Sequence, residues 1–157
     1  MKAVYWDTSC VLALYLPVQI SSQASELAST LKGPIHSSAI LEFEMTFAIQ
    51  AKESRGEIPT GSSGRVLSQF QTDIQSGRFL LVPLGSDIKS SAIEIASKIL
   101  LLAPPVFLRT LDGIHIATAL KLGSPELITA DKKMADSSTL LGLKTRLLKK
   151  LATVKNR

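Results

Sequence analysis

Apolar and polar positions along this chain fall into blocks that switch between two periods. Ala3–Trp6 is a short apolar run ending at Asp7, the pattern of a buried strand. Thr8 or Ser9 is then placed to cap a short helix through Leu16, where Pro17 stops it. Ser21–Leu31 has helical spacing and ends at Gly33-Pro34, and Ile35-His36 is a brief strand. Ser38–Ser54 is the strongest helix, with Ser37 or Ser38 as its cap, and residues 55–60 form a loop around Gly56 and Pro59. Gly64–Ser76 reads as a helix closed by Gly77, Phe79–Pro83 as a strand, and Asp87–Leu102 as a helix capped by Ser86 or Asp87. Beyond Pro104-Pro105 come a helix over Thr110–Leu122, ended by Gly123, and a strand over Glu126–Thr129. A helix over Lys132–Leu141 and a strand over Lys144–Leu148 complete the pattern.

Strands separated by helices predict an α/β layered fold with a mainly parallel sheet. In such sheets ligands bind beyond the carboxyl ends of the strands. The length favours one domain, assigned here to residues 1–150, with a basic tail over 151–157.

Four carboxylates interrupt apolar stretches: Asp7, Glu44, Asp112 and Asp131. A buried unpartnered charge costs several kcal/mol or forces protonation. On a helical wheel with Ile40 at zero, Leu41, Phe47, Ala48 and Ala51 form an apolar face that includes Glu44. Glu42 falls on the polar side with Thr46, Gln50 and Glu53. On the later helix Asp112 lies between Ile116 and Ala119, on a face shared with Leu120. Three of the acids also have a purely structural reading. Asp7 and Asp131 stand where a helix cap stands, and Asp112 is in a first turn, where an acid favours the helix dipole. Two carboxylates about 5 Å apart repel by roughly 3 kcal/mol at an effective dielectric near 20. A cluster therefore needs protonation or a cation, and all-oxygen ligation suits Mg²⁺ or Mn²⁺.

Composition narrows the classes. With 45% hydrophobic residues the chain has the makings of an ordinary core. Cys10 is the only cysteine, which excludes an internal disulfide and a cysteine-based zinc site, and two histidines are too few for most zinc sites. No signal-peptide pattern survives Asp7 and Pro17, no apolar stretch is long enough to span a bilayer, and the cytoplasm is the expected location. The net charge of +5 is uneven: residues 132–157 hold eight basic residues and one acid, Asp136, leaving residues 1–131 at −2. A basic end suits a polyanion such as nucleic acid, and equally a solvated tail.

These residues fall in motifs. VYWDTS, SAILEFEMTFAI, LRTLDGIHIATAL and LITADKKM carry Asp7, Glu44, Asp112 and Asp131 in that order. In them the chain resembles the PIN-domain nucleases, and within these the short VapC-type toxins of toxin–antitoxin pairs. The likeness spans about residues 2–148 and includes the central RGEIPTGSSGRVLSQFQTDIQSGRF. Gly113 departs from it, standing where the family often has a larger residue.

The resemblance implies a PIN-like three-layer fold and a metal-dependent endoribonuclease. Asp7, Glu44 and Asp112 would hold Mg²⁺ or Mn²⁺, with Asp131 supporting a second ion or water ligands. Cleavage would leave a 5′-phosphate and a 3′-hydroxyl, with single-stranded or looped RNA as substrate. It also implies a homodimer and a cognate antitoxin whose basic side chain enters the acidic site. Supporting roles fall to Ser9, Thr129, His115 and Arg109. The plainer readings beside them are a helix cap, a strand-end turn, a hydrogen-bonded core histidine and a surface salt bridge. Asp136 reads as a surface acid. The alternative function is a catalytically silent PIN scaffold that binds RNA or a protein partner. An aspartyl-phosphate phosphatase would need a second Asp where Ser9 stands, and a receiver-type domain gives Glu44 no role.

Overall fold

Tyr5 and Trp6 are adjacent, wholly buried, and face opposite sides of the same sheet. That alternation, inherent to a strand, places them in two different cores. The computed structural model describes residues 3–102, 104 and 106–149. The expected tail at 151–157 lies outside them. In chain order the elements are β1 (Tyr5–Trp6), α1 (Thr8–Leu12), α2 (Ser21–Thr30), β2 (Ile35–Ser38), α3 (Leu41–Ser54) and α4 (Ser63–Gln75). Then follow β3 (Phe79–Val82), α5 (Ser86–Leu100), α6 (Thr110–Lys121), β4 (Leu127–Thr129), α7 (Lys132–Leu140) and β5 (Thr145–Leu147).

The five strands are all parallel, in the order β3-β2-β1-β4-β5. β1 is central, with Tyr5 in register with His36 of β2 and Leu127 of β4. Trp6 joins Val11, Leu41, Met45, Ile49 and Phe70 in the core under α1–α4. Tyr5 joins Ile88, Ile95, Ile99 and Ile116 under α5 and α6. Helices thus cover both faces, the layered α/β architecture the sequence predicts. Burying each large side chain contributes about 1.5–3 kcal/mol.

Several boundaries move. The first helix stops at Leu12, and residues to Leu16 continue as turns rather than helix. Its cap is Asp7, whose carboxylate accepts from the Cys10 N–H, not Thr8 or Ser9. Ser37 and Ser38 belong to β2, so neither occupies the cap position of α3. α5 follows Gly85 without a side-chain cap. Gly77 and Gly123 adopt positive φ (79° and 64°) just past α4 and α6, ending them as their positions predict. A Cβ on Gly113 would meet Leu108 at an ordinary 3.5 Å, so the first turn of α6 does not require glycine.

The largest correction concerns α3. Its buried stripe is Leu41, Met45 and Ile49, spaced four apart. Phe47, assigned to the core face by the wheel, is 73% exposed, and Phe43 one turn earlier is 68% exposed. Glu44 lies on the flank of the true stripe, half-buried. Glu42 is also half-buried, at the seam with α4, where Gln71 donates to it at 3.2 Å. Leu120 on α6 is likewise exposed.

Candidate active site

Because β1 and β4 are parallel neighbours, the residues that follow them emerge at the same edge of the sheet. The Asp7 N–H donates to the Ile128 carbonyl at 3.0 Å, extending the ladder one step past β1. The Asp7 side chain is 4% exposed. Its Oδ1 accepts from the Ser9 hydroxyl at 2.7 Å and the Cys10 N–H at 3.2 Å, and its Oδ2 accepts from Thr129 at 2.7 Å. Ser9 in turn accepts the Ala130 N–H at 3.1 Å, and Thr129 accepts the Asp131 N–H at 3.0 Å. Two hydroxyls therefore fasten the β1 end to the β4 end around one carboxylate. Burial pushes the Asp7 pKa up, against the opposing influence of His115 and the three hydrogen bonds.

Glu44 reaches the same edge from α3. Its Oε2 receives the Thr8 hydroxyl and lies 2.7 Å from His115 Nε2. Burial works to raise its pKa, but the His115 and Thr8 hydrogen bonds and the charges of His115 and Arg109 outweigh it, and the net shift is downward. His115 on α6 is buried, and its Nδ1 lies 2.7 Å from the Tyr5 hydroxyl. The Tyr5 pKa is driven far upward, chiefly by burial, so the phenol keeps its proton.

Asp112 and Asp131 share one cation. Arg109, at the start of α6, donates from Nε to Asp112 at 2.7 Å and from Nη2 to Asp131 at 2.6 Å. Asp112 is 8% exposed, whereas Arg109 is mostly in solvent. Asp131 also caps α7, accepting from the Lys133 and Met134 N–H groups. Both strand-end aspartates thus cap helices and face the edge at the same time. Asp136 pairs on the surface with Lys132 at 2.7 Å. A cleft of about 290 Å³ opens here, lined by Phe107, Arg109, Asp112, Asp131, Lys132 and Lys133.

The four acids occupy three linked arrangements: Asp7 with Ser9 and Thr129, Glu44 with Thr8 and His115, and Asp112 with Asp131 through Arg109. Among the described residues no three Asp, Glu, His or Cys side chains stand close enough to surround one ion. The donor set nevertheless fits a hard divalent cation. It is all oxygen, and two of its members already take a cationic group between them. Thr8 and Tyr5 were not among the residues singled out from sequence. The usable signal for Tyr5 was its place two before Asp7, on the same side of a strand.

The sequence model of the PIN domain matches residues 4–138. The chain belongs to the PIN-domain family. A curated relative, Ribonuclease VapC46 of Mycobacterium tuberculosis, is 30% identical over 146 residues, covering 91% of this chain and 95% of its own. Among solved structures, VapC20 of Mycobacterium tuberculosis, described as a sarcin-ricin loop cleaving toxin, superposes with a TM-score of 0.66 at 15% identity. That match covers 90% of this PIN domain and 96% of the other chain. VapBC2 of Rickettsia felis, solved on a DNA fragment from its promoter, gives 0.62 at 15% identity over 92% and 98%. At these identities the structures establish the shared fold.

The Glu44 shift makes a prediction about stability. Its folded pKa lies below the unfolded value, about 4.3, so its contribution is complete above that value and is lost as pH falls through the folded one. Glu44→Gln in this PIN domain should therefore lower the melting temperature at about pH 7 and much less at about pH 3. Equal losses at both pH values in a thermal melt would contradict the assignment.

Proposed function

We propose that this PIN domain is a metal-dependent endoribonuclease that hydrolyses RNA phosphodiester bonds, acting in the cytoplasm as the toxin of a toxin–antitoxin pair. Membership of a family with a ribonuclease relative supports the activity. The observation that supports the site is the gathering of Asp7, Glu44, Asp112 and Asp131 at one sheet edge, two of them bridged by one guanidinium. Asp7, Glu44 and Asp112 would hold Mg²⁺ or Mn²⁺, with Asp131 beside them. Such an ion supplies Lewis acidity at a water and charge compensation at the phosphate.

The chain's own residues do the rest. Ser9 and Thr129 fix both oxygens of Asp7. Thr8 and His115 fix one oxygen of Glu44. Arg109 is mostly in solvent, at the mouth of the cleft, and its guanidinium has the fork geometry that suits a phosphate as well as a carboxylate. Lys132 and Lys133 line the same cleft and suit the backbone of single-stranded RNA.

The antitoxin and a second copy of the chain are the expected partners. Phe43 and Phe47, exposed one turn apart on α3, offer an apolar strip to one of them. Among the described residues no helix is long and apolar enough to cross a membrane.

The test is incubation of the purified protein with a panel of structured RNAs in Mn²⁺ or EDTA. Cleavage is expected only with the metal. Cleavage that persists in EDTA, or survives both Asp7→Asn and Glu44→Gln, would overturn the mechanism. The Arg109 bridge between two acids also favours a second reading, a silent scaffold, and RNA retention with no turnover would support it.

A further inference from the structure

Phe107 is 78% exposed, and it stands on the wall of the acid cleft beside Arg109, Asp112, Asp131, Lys132 and Lys133. Its neighbours in the chain explain why it faces out. Val106 and Leu108 both pack against the core under α5 and α6, so the segment leading into α6 is pinned on either side of the ring. A lone exposed phenylalanine is ordinary on a protein surface. The company it keeps is not. Arg109 bridges Asp112 and Asp131 at 2.7 and 2.6 Å, and Lys132 pairs with Asp136 at 2.7 Å. Among the described residues Lys133 has no carboxylate partner. An apolar protein surface docks where charges are few. A ring set among three cations and two acids instead suits a ligand that carries a flat π face and a negative charge on the same unit, which is a nucleotide.

We propose that Phe107 is the stacking platform for an unpaired base of the RNA strand held at the acids, and so the residue that selects single-stranded over duplex RNA. The proposal rests on the nuclease reading for the strand it positions. Inside a duplex both faces of a base are covered by its neighbours in the stack, and the ring has nothing to receive. In a loop or single strand a face is open. Every base has such a face, so Phe107 reads strandedness and leaves base identity to other contacts.

The test uses the full chain in EDTA, so that RNA is bound without being cut. The probes are a labelled single strand of mixed sequence, the same backbone without bases, and the corresponding duplex. The unmodified protein should bind the intact strand roughly tenfold more tightly than the abasic strand. Phe107→Leu stays apolar but has no π face, and should bring the intact strand level with the abasic strand and the duplex. Phe107→Trp should restore the preference. Lys133→Gln should instead weaken intact and abasic strands alike and lower the salt dependence, as loss of a phosphate contact does. Equal affinity of the unmodified protein for intact and abasic strands would overturn the proposal. So would a preference that survives Phe107→Leu. If that variant kept the preference and lost a dimer in sedimentation, the ring would belong to an interface between copies. Absence of cleavage in Mn²⁺ by a protein that keeps the preference would overturn the nuclease reading alone.

Discussion

Asp7→Asn is expected to abolish RNA cleavage while leaving the fold at least as stable. The residue sits at the centre of the site, held on both oxygens, and loses its charge with almost no change of shape. A ligand oxygen lost from a divalent site should cost more than the roughly hundredfold seen for outer partners. The stability argument runs the other way. The folded pKa of Asp7 is raised by burial. Its contribution is therefore complete below the unfolded value, about 3.9, and is lost as pH rises through the folded one. Asn carries no charge and escapes that loss. Thr129 can still pair with it, since a hydroxyl both donates and accepts. Cleavage rates and thermal melts near pH 7 decide both halves. Activity within tenfold of the original would remove Asp7 from the mechanism. Mn²⁺ should raise the melting temperature of the original protein and not of the variant, because only an ion that binds the folded state stabilises it.

Phe70→Ala should be the most damaging single change to the fold. Phe70 is wholly buried on α4, with its ring edge to face with Tyr15 and Phe79 at 5.6 and 5.7 Å. Truncating such a ring costs about 3–5 kcal/mol, transfer and cavity together. For a domain of this size that is roughly 10 °C in melting temperature. Tyr15 also donates to Asp73, which receives Arg78 and Gln69 as well, so the loss spreads into that network. Phe79 opens β3, at the end of the sheet away from the acids. Specific activity measured well below the melting point should therefore be kept. A urea midpoint that does not move would disprove the packing account.

Asp73 shows what burial of an acid does and does not mean. It is 9% exposed, as deeply set as Asp112, yet its partners are Tyr15, Gln69 and Arg78 and it takes no part in the edge described above. From sequence, an acid on an apolar face could be either kind. Asp7, Glu44, Asp112 and Asp131 fall in the four motifs that carry the family resemblance, whereas Asp73 lies in the central segment between the second and third.

The layered parallel fold was legible because strand and helix periods differ and the breakers Pro17, Gly77 and Gly123 fall between them. The caps were less so. Asp7 and Asp131 satisfied the first N–H groups of α1 and α7, work that the sequence left open between Asp7, Thr8 and Ser9. The face of α3 misread for a different reason. Phe43 and Phe47 make the helix apolar on its outer side too, and periodicity cannot separate a core stripe from a strip left exposed. The link from Tyr5 through His115 to Glu44 spans 110 and 71 residues, and no local pattern encodes such separations.

The place of β1 in the sheet sets a timetable for synthesis. Of the five strands it is made first and lies at the centre, and it is flanked on one side by β4, which is made fourth. Thr129, which holds Asp7 Oδ2, is translated 122 residues after it, roughly ten seconds later at common elongation rates. Asp112 and Asp131 are made within about twenty residues of Thr129. A nascent chain that has not yet reached β4, still attached to a particle built of RNA, therefore carries the first acid without the strand that fastens it. The topology withholds the assembled edge until β4 has been made.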